Sequence, residues 1–117
     1  MRIESIETML LGEVAAVRVR ADDGAEGIGQ TSPFGAAVTV KVLHDMVAPF
    51  FLGRDPWDVE ALVSTTLRDQ YKFPSTFLLR ALCGIDTAIW DLLGTATGQP
   101  VHKLIGGAYR TSVPVYP

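Results

Sequence analysis

Cysteine is nearly absent. Cys83 is the only one in 117 residues, so no disulfide can close within the chain. A single thiol is compatible with a reducing, cytoplasmic setting. Its place in an apolar helical run predicts a small, inert core side chain. Histidine is scarce as well. His44 and His102 stand alone, with no His-x-His, His-x-x-x-His or Cys-x-x-Cys spacing, so no local metal site is supported and both are read as surface or partly buried polar residues. Basic charge is in deficit: ten Lys and Arg against thirteen Asp and Glu leave a net charge of −3. That balance argues against nucleic acid or an anionic membrane as a partner. Runs of the ~18 apolar residues that a membrane span needs do not occur. No apolar stretch follows Arg2 and Glu4, so no signal peptide is visible. Phosphate loops and nucleophile elbows are missing too. Gly27-x-Gly29 lacks the third glycine and the βαβ setting of a dinucleotide fingerprint.

What remains is the composition of one globular domain, 48% hydrophobic and 20% charged. Residues 2–9 predict a strand. VAAVRVRA, residues 14–21, alternates Ala15, Val17, Val19 and Ala21 with Ala16, Arg18 and Arg20, the period of a half-buried strand. Asp22-Asp23-Gly24 supplies turn chemistry, and AEGIGQ returns as a third strand with glycines where side chains are crowded out. Helical signals follow. One helix is expected over 36–48, ending before Pro49. A second starts at Asp55-Pro56-Trp57-Asp58, with Asp55 as N-cap and Val59, Leu62, Val63 and Leu67 along one face. A third runs from Ser75 to Thr97, with Leu78, Leu82, Ile85, Ile89 and Leu92 at helical spacing; Gly98 and Pro100 stop it. PVHKLIGG is a short helix or turn ending at Gly106-Gly107. The order predicts an α+β fold: a three-stranded antiparallel sheet followed by three or four helices on one face.

The third helix carries two acids, Asp86 and Asp91, around Trp90. Five residues apart, they project about 140° apart, so one helix cannot aim both at a single metal or substrate. They are read as structural ties, each accepting backbone N–H groups or an arginine, with Arg80 and Arg110 as candidates. Trp90 is expected to fill the gap between helix and sheet. Ala81, Gly84 and Ala88 form a small-residue strip for a close neighbour.

ALCGIDTAIWDLLGTATGQPVHKLIGG resembles the helix that closes the N-terminal capping domain in the mandelate racemase and muconate lactonizing branch of the enolase superfamily. The shared pattern runs through Gly84, Asp86, Trp90, Asp91, Gly98, Pro100, Gly106 and Gly107. VRVRADDGAEGIGQ resembles that family's second and third strands. The resemblance implies that residues 1–112 are a capping domain and that 113–117, within VPVYP, begin a TIM-type barrel whose remainder is absent; such a barrel takes ~250 residues. It implies catalytic groups and acidic Mg²⁺ ligands in that barrel and none in this chain. The reaction implied is removal of the proton α to a carboxylate. The resemblance also implies a small-molecule carboxylate substrate and a homo-oligomer.

In this family two capping segments close over the barrel mouth. Here they correspond to Leu10-Leu11-Gly12-Glu13 and to Gln30-Thr31-Ser32-Pro33-Phe34-Gly35. The expected substrate contacts are Glu13, Gln30, Thr31, Ser32 and Phe34. Gln30 stands where many members have Glu. A short first segment and polar Gln30, Thr31 and Ser32 fit a sugar acid, hence an acid-sugar dehydratase; a racemase or epimerase and a cycloisomerase are the alternatives within the superfamily. TSPFG also reads as a simple helix-entry loop. A stand-alone α+β binding module without catalysis is the alternative of another class.

Overall fold

The computed structural model describes residues 1–116. Strand β1 spans Ile3–Leu11, β2 Val14–Ala21 and β3 Glu26–Gln30, antiparallel in the order β1-β2-β3. Alternation in β2 puts Ala15, Val17, Val19 and Ala21 on the core face. Strand β1 lacks that alternation, since Ile3 and Ile6 are both buried at odd spacing. An irregularity between Ile3 and Ser5 resolves this: one extra residue in the ladder turns both isoleucines inward. Gly12 takes the positive φ of a two-residue turn and presents Glu13 at its tip. On the outer face Arg18 pairs with Glu7 and Arg20 with Glu26. The Arg18 guanidinium holds the exposed Glu7 carboxyl below its ordinary range.

The first helical region differs from expectation at Pro49. Helix α1 spans Ala36–Val42, a π-type turn follows over Leu43–Val47, and α2 continues through Ala48–Phe51 with Pro49 inside its first turn. The wider turn sends the Ala48 N–H to the Leu43 carbonyl. The ladder is already loosened where Pro49 offers no donor, so proline is accommodated there and the helix does not stop. Asp55 caps the next segment by accepting the Trp57 N–H at 3.0 Å, a 3₁₀ turn covers Pro56–Asp58, and α3 spans Val59–Asp69. Ser75 accepts the Leu78 N–H and opens α4, Thr76–Thr97; Gly98, at φ 63°, closes it. A short α5 spans Val101–Leu104. Among the described residues no helix is long and apolar enough to cross a membrane.

One core joins the layers. Ile3, Ile6, Val17 and Val19 of the sheet meet Leu43, Val47 and Phe51, Val59 and Leu62 of α3, and the Leu78, Leu82, Ile85, Ile89, Leu92 series of α4. Helix α4 lies unusually close to β3. A methyl group built on Gly29 would fall within contact of the Gly84 carbonyl oxygen and 2.7 Å from the Ala88 nitrogen; one on Gly27 would fall 2.7 Å from the Leu92 Cα. Glycine on the strand and Gly84 and Ala88 on the helix let backbone approach backbone. Residues Val113 to Tyr116 are exposed and form no strand. Pro117, the end of the expected barrel strand, lies outside the described residues.

Candidate functional site

Two connections share one end of the sheet. The Gly12–Glu13 turn joins β1 to β2, and residues 31–35 join β3 to α1. They are tied together at their bases: the Thr31 N–H donates to the Ala15 carbonyl at 2.9 Å, and the Ala15 N–H donates to the Thr31 hydroxyl oxygen at 3.1 Å. Thr31 is 1% exposed. Its hydroxyl is therefore engaged inside the ladder, and the expected contact from Thr31 to a substrate hydroxyl is not available. The side chain is read correctly as polar, but sequence gives no sign that the β2–β3 ladder extends one residue past Gln30.

Beyond that tie the lip projects. Gln30 and Glu13 are exposed, Ser32 is half-buried, and Phe34 is 66% exposed. Phe34 also adopts φ 69°, the left-handed region that costs a β-carbon about 1–2 kcal/mol. Gly35 follows at φ 71° and starts α1. The Phe34 carbonyl accepts from Arg80 Nη1 at 2.7 Å, across from α4. Strain of this kind persists only where surroundings enforce it, and it clusters at functional sites. Met9, Leu10 and Leu11 add an exposed apolar edge at the tip of the same hairpin. The sequence signal for that edge is three consecutive apolar residues before Gly12.

The aspartates of α4 face different neighbours. Asp91 points to the sheet, and its Oδ2 accepts the Ile28 N–H of edge strand β3 at 2.8 Å. Asp86 lies on the opposite side, in a groove of about 460 Å³ between α3 and α4, lined by Glu60, Val63, Leu79, Cys83 and Trp90 among others. Burial first, and then the charge of Glu60, push the Asp86 carboxyl above its ordinary range; the Trp90 indole partly offsets this. Neither expected arginine partner is there. Arg80 is taken by Phe34, and Arg110 lies over the Tyr109 ring. Trp90 lines the α3 groove, facing away from the sheet, because it sits about 160° around α4 from Ala88 and about 100° from Asp91. The same angle puts Cys83 on the exposed side, against its expected core position. His44 bonds the Thr8 hydroxyl at 2.9 Å, and His102 is exposed. The larger concavity, about 610 Å³, sits at the other end of the sheet, where Arg2 is already bonded to Asp22 and to the Gly53 carbonyl.

Among the described residues no three His, Cys, Asp or Glu side chains converge to hold a metal ion. The Mg²⁺ implied by the sequence resemblance therefore does not fit these residues. The lip carries an aromatic ring held outward, and Glu13, Gln30 and Ser32 bring a carboxylate, an amide and a hydroxyl to the same end of the sheet.

The model of the mandelate racemase / muconate lactonizing enzyme N-terminal domain matches residues 3–106. A D-galactonate dehydratase family member of Paenibacillus sp. strain JDR-2 is 36% identical over 97% of this chain and 28% of its own length. A D-mannonate dehydratase of Caulobacter vibrioides is 34% identical over 86% of this chain and 25% of its own. The crystal structure of a mandelate racemase/muconate lactonizing protein from Paracoccus denitrificans PD1222, complexed with magnesium, superposes with a TM-score of 0.84 at 34% identity, over 94% of this chain and 31% of that one. The chain thus spans less than a third of the length of these relatives.

Proposed function

The chain belongs to the mandelate racemase/muconate lactonizing enzyme family, as its N-terminal domain, and from that premise we propose that it caps the active site of an acid-sugar dehydratase. The observation that carries the reading is the conjunction of relatives named for D-galactonate and D-mannonate dehydration with a projecting lip at one end of the sheet. The parent reaction would remove the proton α to a carboxylate and expel a neighbouring hydroxyl as water. The base, and the Mg²⁺ that the family implies, would belong to a barrel domain outside these residues.

This chain's contribution is specificity. Phe34 would exclude water over the bound acid, which strengthens the electrostatics of a carboxylate beneath it. Gln30 and Ser32 would hydrogen-bond substrate hydroxyls, and Glu13 would face them from the first turn. A site built to bond hydroxyls discriminates strongly against analogues lacking them. On the family premise alone, the complete protein is read as a cytoplasmic homo-oligomer.

The test is turnover by the full-length protein, with Mg²⁺, of a set of acid sugars that includes D-galactonate and D-mannonate. The expected result is loss of water across C2–C3, giving a 2-oxo-3-deoxy acid. Exchange of the α-proton with deuterated solvent without water loss would move the reading to a racemase or epimerase. Neither exchange nor turnover on any acid would favour a binding module.

A further inference from the structure

Arg80 was expected to pair with an aspartate of its own helix, and it does not. Its Nη1 instead donates to the Phe34 carbonyl at 2.7 Å, 46 residues away in the chain. The bond lands on the single non-glycine residue with positive φ among the described residues. The arginine is itself oriented: its Cζ stands 5.7 Å from the centroid of the Phe77 ring, one turn earlier in α4. That ring closes the other side of the loop, since a methyl built on Gly35 would meet Phe77 Cε1 at 2.9 Å. So Phe34 is bonded through its backbone and backed at Gly35, while its own ring stays in solvent.

We propose that Arg80 is a positioning residue for the lip. Its guanidinium holds the Phe34–Gly35 backbone in the left-handed conformation and so fixes the direction in which the Phe34 ring is presented. The proposal rests on the reading of Gln30–Phe34 as substrate-facing, and it makes the lip a fixed jaw with a base tied at Thr31 and a tip tied at Phe34. An arginine suits the task because several of its N–H groups lie in one rigid plane that both stacks on an aromatic ring and donates to a carbonyl. A charge-assisted bond of this kind is stronger than a neutral one.

Chymotrypsin reads the tie directly in the full-length protein, because it cuts after Phe34 and also after Tyr71, which is exposed in the loop before α4 and serves as an internal reference. Cleavage of a transiently opened segment tracks the population of the open form. Arg80→Ala is expected to speed cleavage after Phe34 by about tenfold or more, while the Tyr71 site changes by less than about twofold. Arg80→Lys, which keeps a donor without the planar fork, is expected to recover part of the protection. With any acid sugar that the protein turns over, kcat/KM should fall in Arg80→Ala and recover in Arg80→Lys. An unchanged rate after Phe34 would overturn the proposal. So would an equal rise at both sites, since Arg80 would then serve only the stability of α4. Absence of turnover on every acid would defeat the dehydratase reading and leave the cleavage ratio to decide the role of Arg80 by itself.

Discussion

Replacing Gly29 by Ala is expected to destabilise the fold strongly, against the local preference of a strand. In a strand interior Ala is favoured over Gly by roughly 0.5–1 kcal/mol. Gly29 lies on the core face opposite Val17, and there the new methyl would fall within contact of the Gly84 carbonyl oxygen, 2.7 Å from the Ala88 nitrogen and 3.1 Å from the Ala88 Cβ. Non-bonded carbons rest at about 3.5–4.0 Å, so helix and strand would have to part by about an ångström. Two of the three obstacles are backbone atoms, and no rotamer change removes them. A gap of about 0.5–1 Å forfeits a quarter to a half of each facing contact, along a helix that buries Ala81, Ile85, Ala88 and Leu92. Overpacking ordinarily costs about 1–3 kcal/mol and more where backbone must move. A loss of about 3 kcal/mol, at about 4–8 °C per kcal/mol for a domain near this size, lowers Tm by roughly 12–24 °C. Thermal unfolding followed by circular dichroism measures it. Gly84→Ala is the graded control: its methyl would meet Val17 Cγ2 at 2.9 Å and Thr31 Cγ2 at 3.1 Å, side-chain atoms that can shift. Its loss should be smaller, and combining it with Val17→Ala should be less than additive. If Gly29→Ala melted at or above the wild-type temperature, the close-approach argument would be refuted and strand propensity would rule the site.

Asp91→Ala should cost about 1 kcal/mol, below the ~1.5–3 of a buried charged acceptor, because water reaches the exposed Ile28 N–H once the carboxylate is gone; urea titration showing no change would mean the tie is idle. Asp86 behaves oppositely. Its folded pKa lies above its ordinary 3.8, so the folded state binds the proton more tightly and the ionised form costs stability as pH rises through that window. Asp86→Asn should therefore raise stability at pH 7 by under about 1 kcal/mol for a half-exposed charge, seen as a higher Tm, and the gain should vanish below about pH 4; an equal gain at both pH values would rule out ionisation as its cause. Phe34→Ala should leave Tm nearly unchanged, since the ring is 66% exposed, and reduce kcat/KM of the full-length protein by about 10- to 100-fold. A large stability loss with intact kinetic constants would make Phe34 an anchor for α1.

The strands, α3 and α4 are legible in the sequence because period and caps agree there. Val17 and Val19 alternate with Arg18 and Arg20, and Ser75 and Gly98 bracket a long apolar series. The π-type turn at Leu43–Val47 is not legible, since proline chemistry alone favours a stop and the accommodating hydrogen bond is a matter of backbone geometry. Direction around α4 is half legible. Five-residue spacing correctly separates Asp86 from Asp91, but which side meets the sheet depends on Gly27 and Gly29, residues that carry no periodic signal of their own. Once that side is known, the outward positions of Cys83 and Trp90 follow. At the lip, composition marks the segment as a candidate, whereas the burial of the Thr31 hydroxyl and the bond from Arg80 depend on partners 16 and 46 residues distant.

The close seat of α4 on β3 has a consequence for register. Two bare strand positions opposite Gly84 and Ala88 act as a keyway, in which the helix fits at one rotational setting. Turning α4 by a single residue, about 100°, would bring a larger side chain into a slot that has no room for a β-carbon. The angular setting chosen at Gly84 is carried rigidly along one helical turn to Arg80, and from there across to the loop at Phe34. An insertion between residues 80 and 84 would leave the slot filled, yet swing the guanidinium about 100° around the axis and away from the carbonyl it holds, and turn Leu78 off the core face with it. Errors in helix indexing ahead of the slot would thus be expressed at the lip and at the N-terminal end of the α4 core face together.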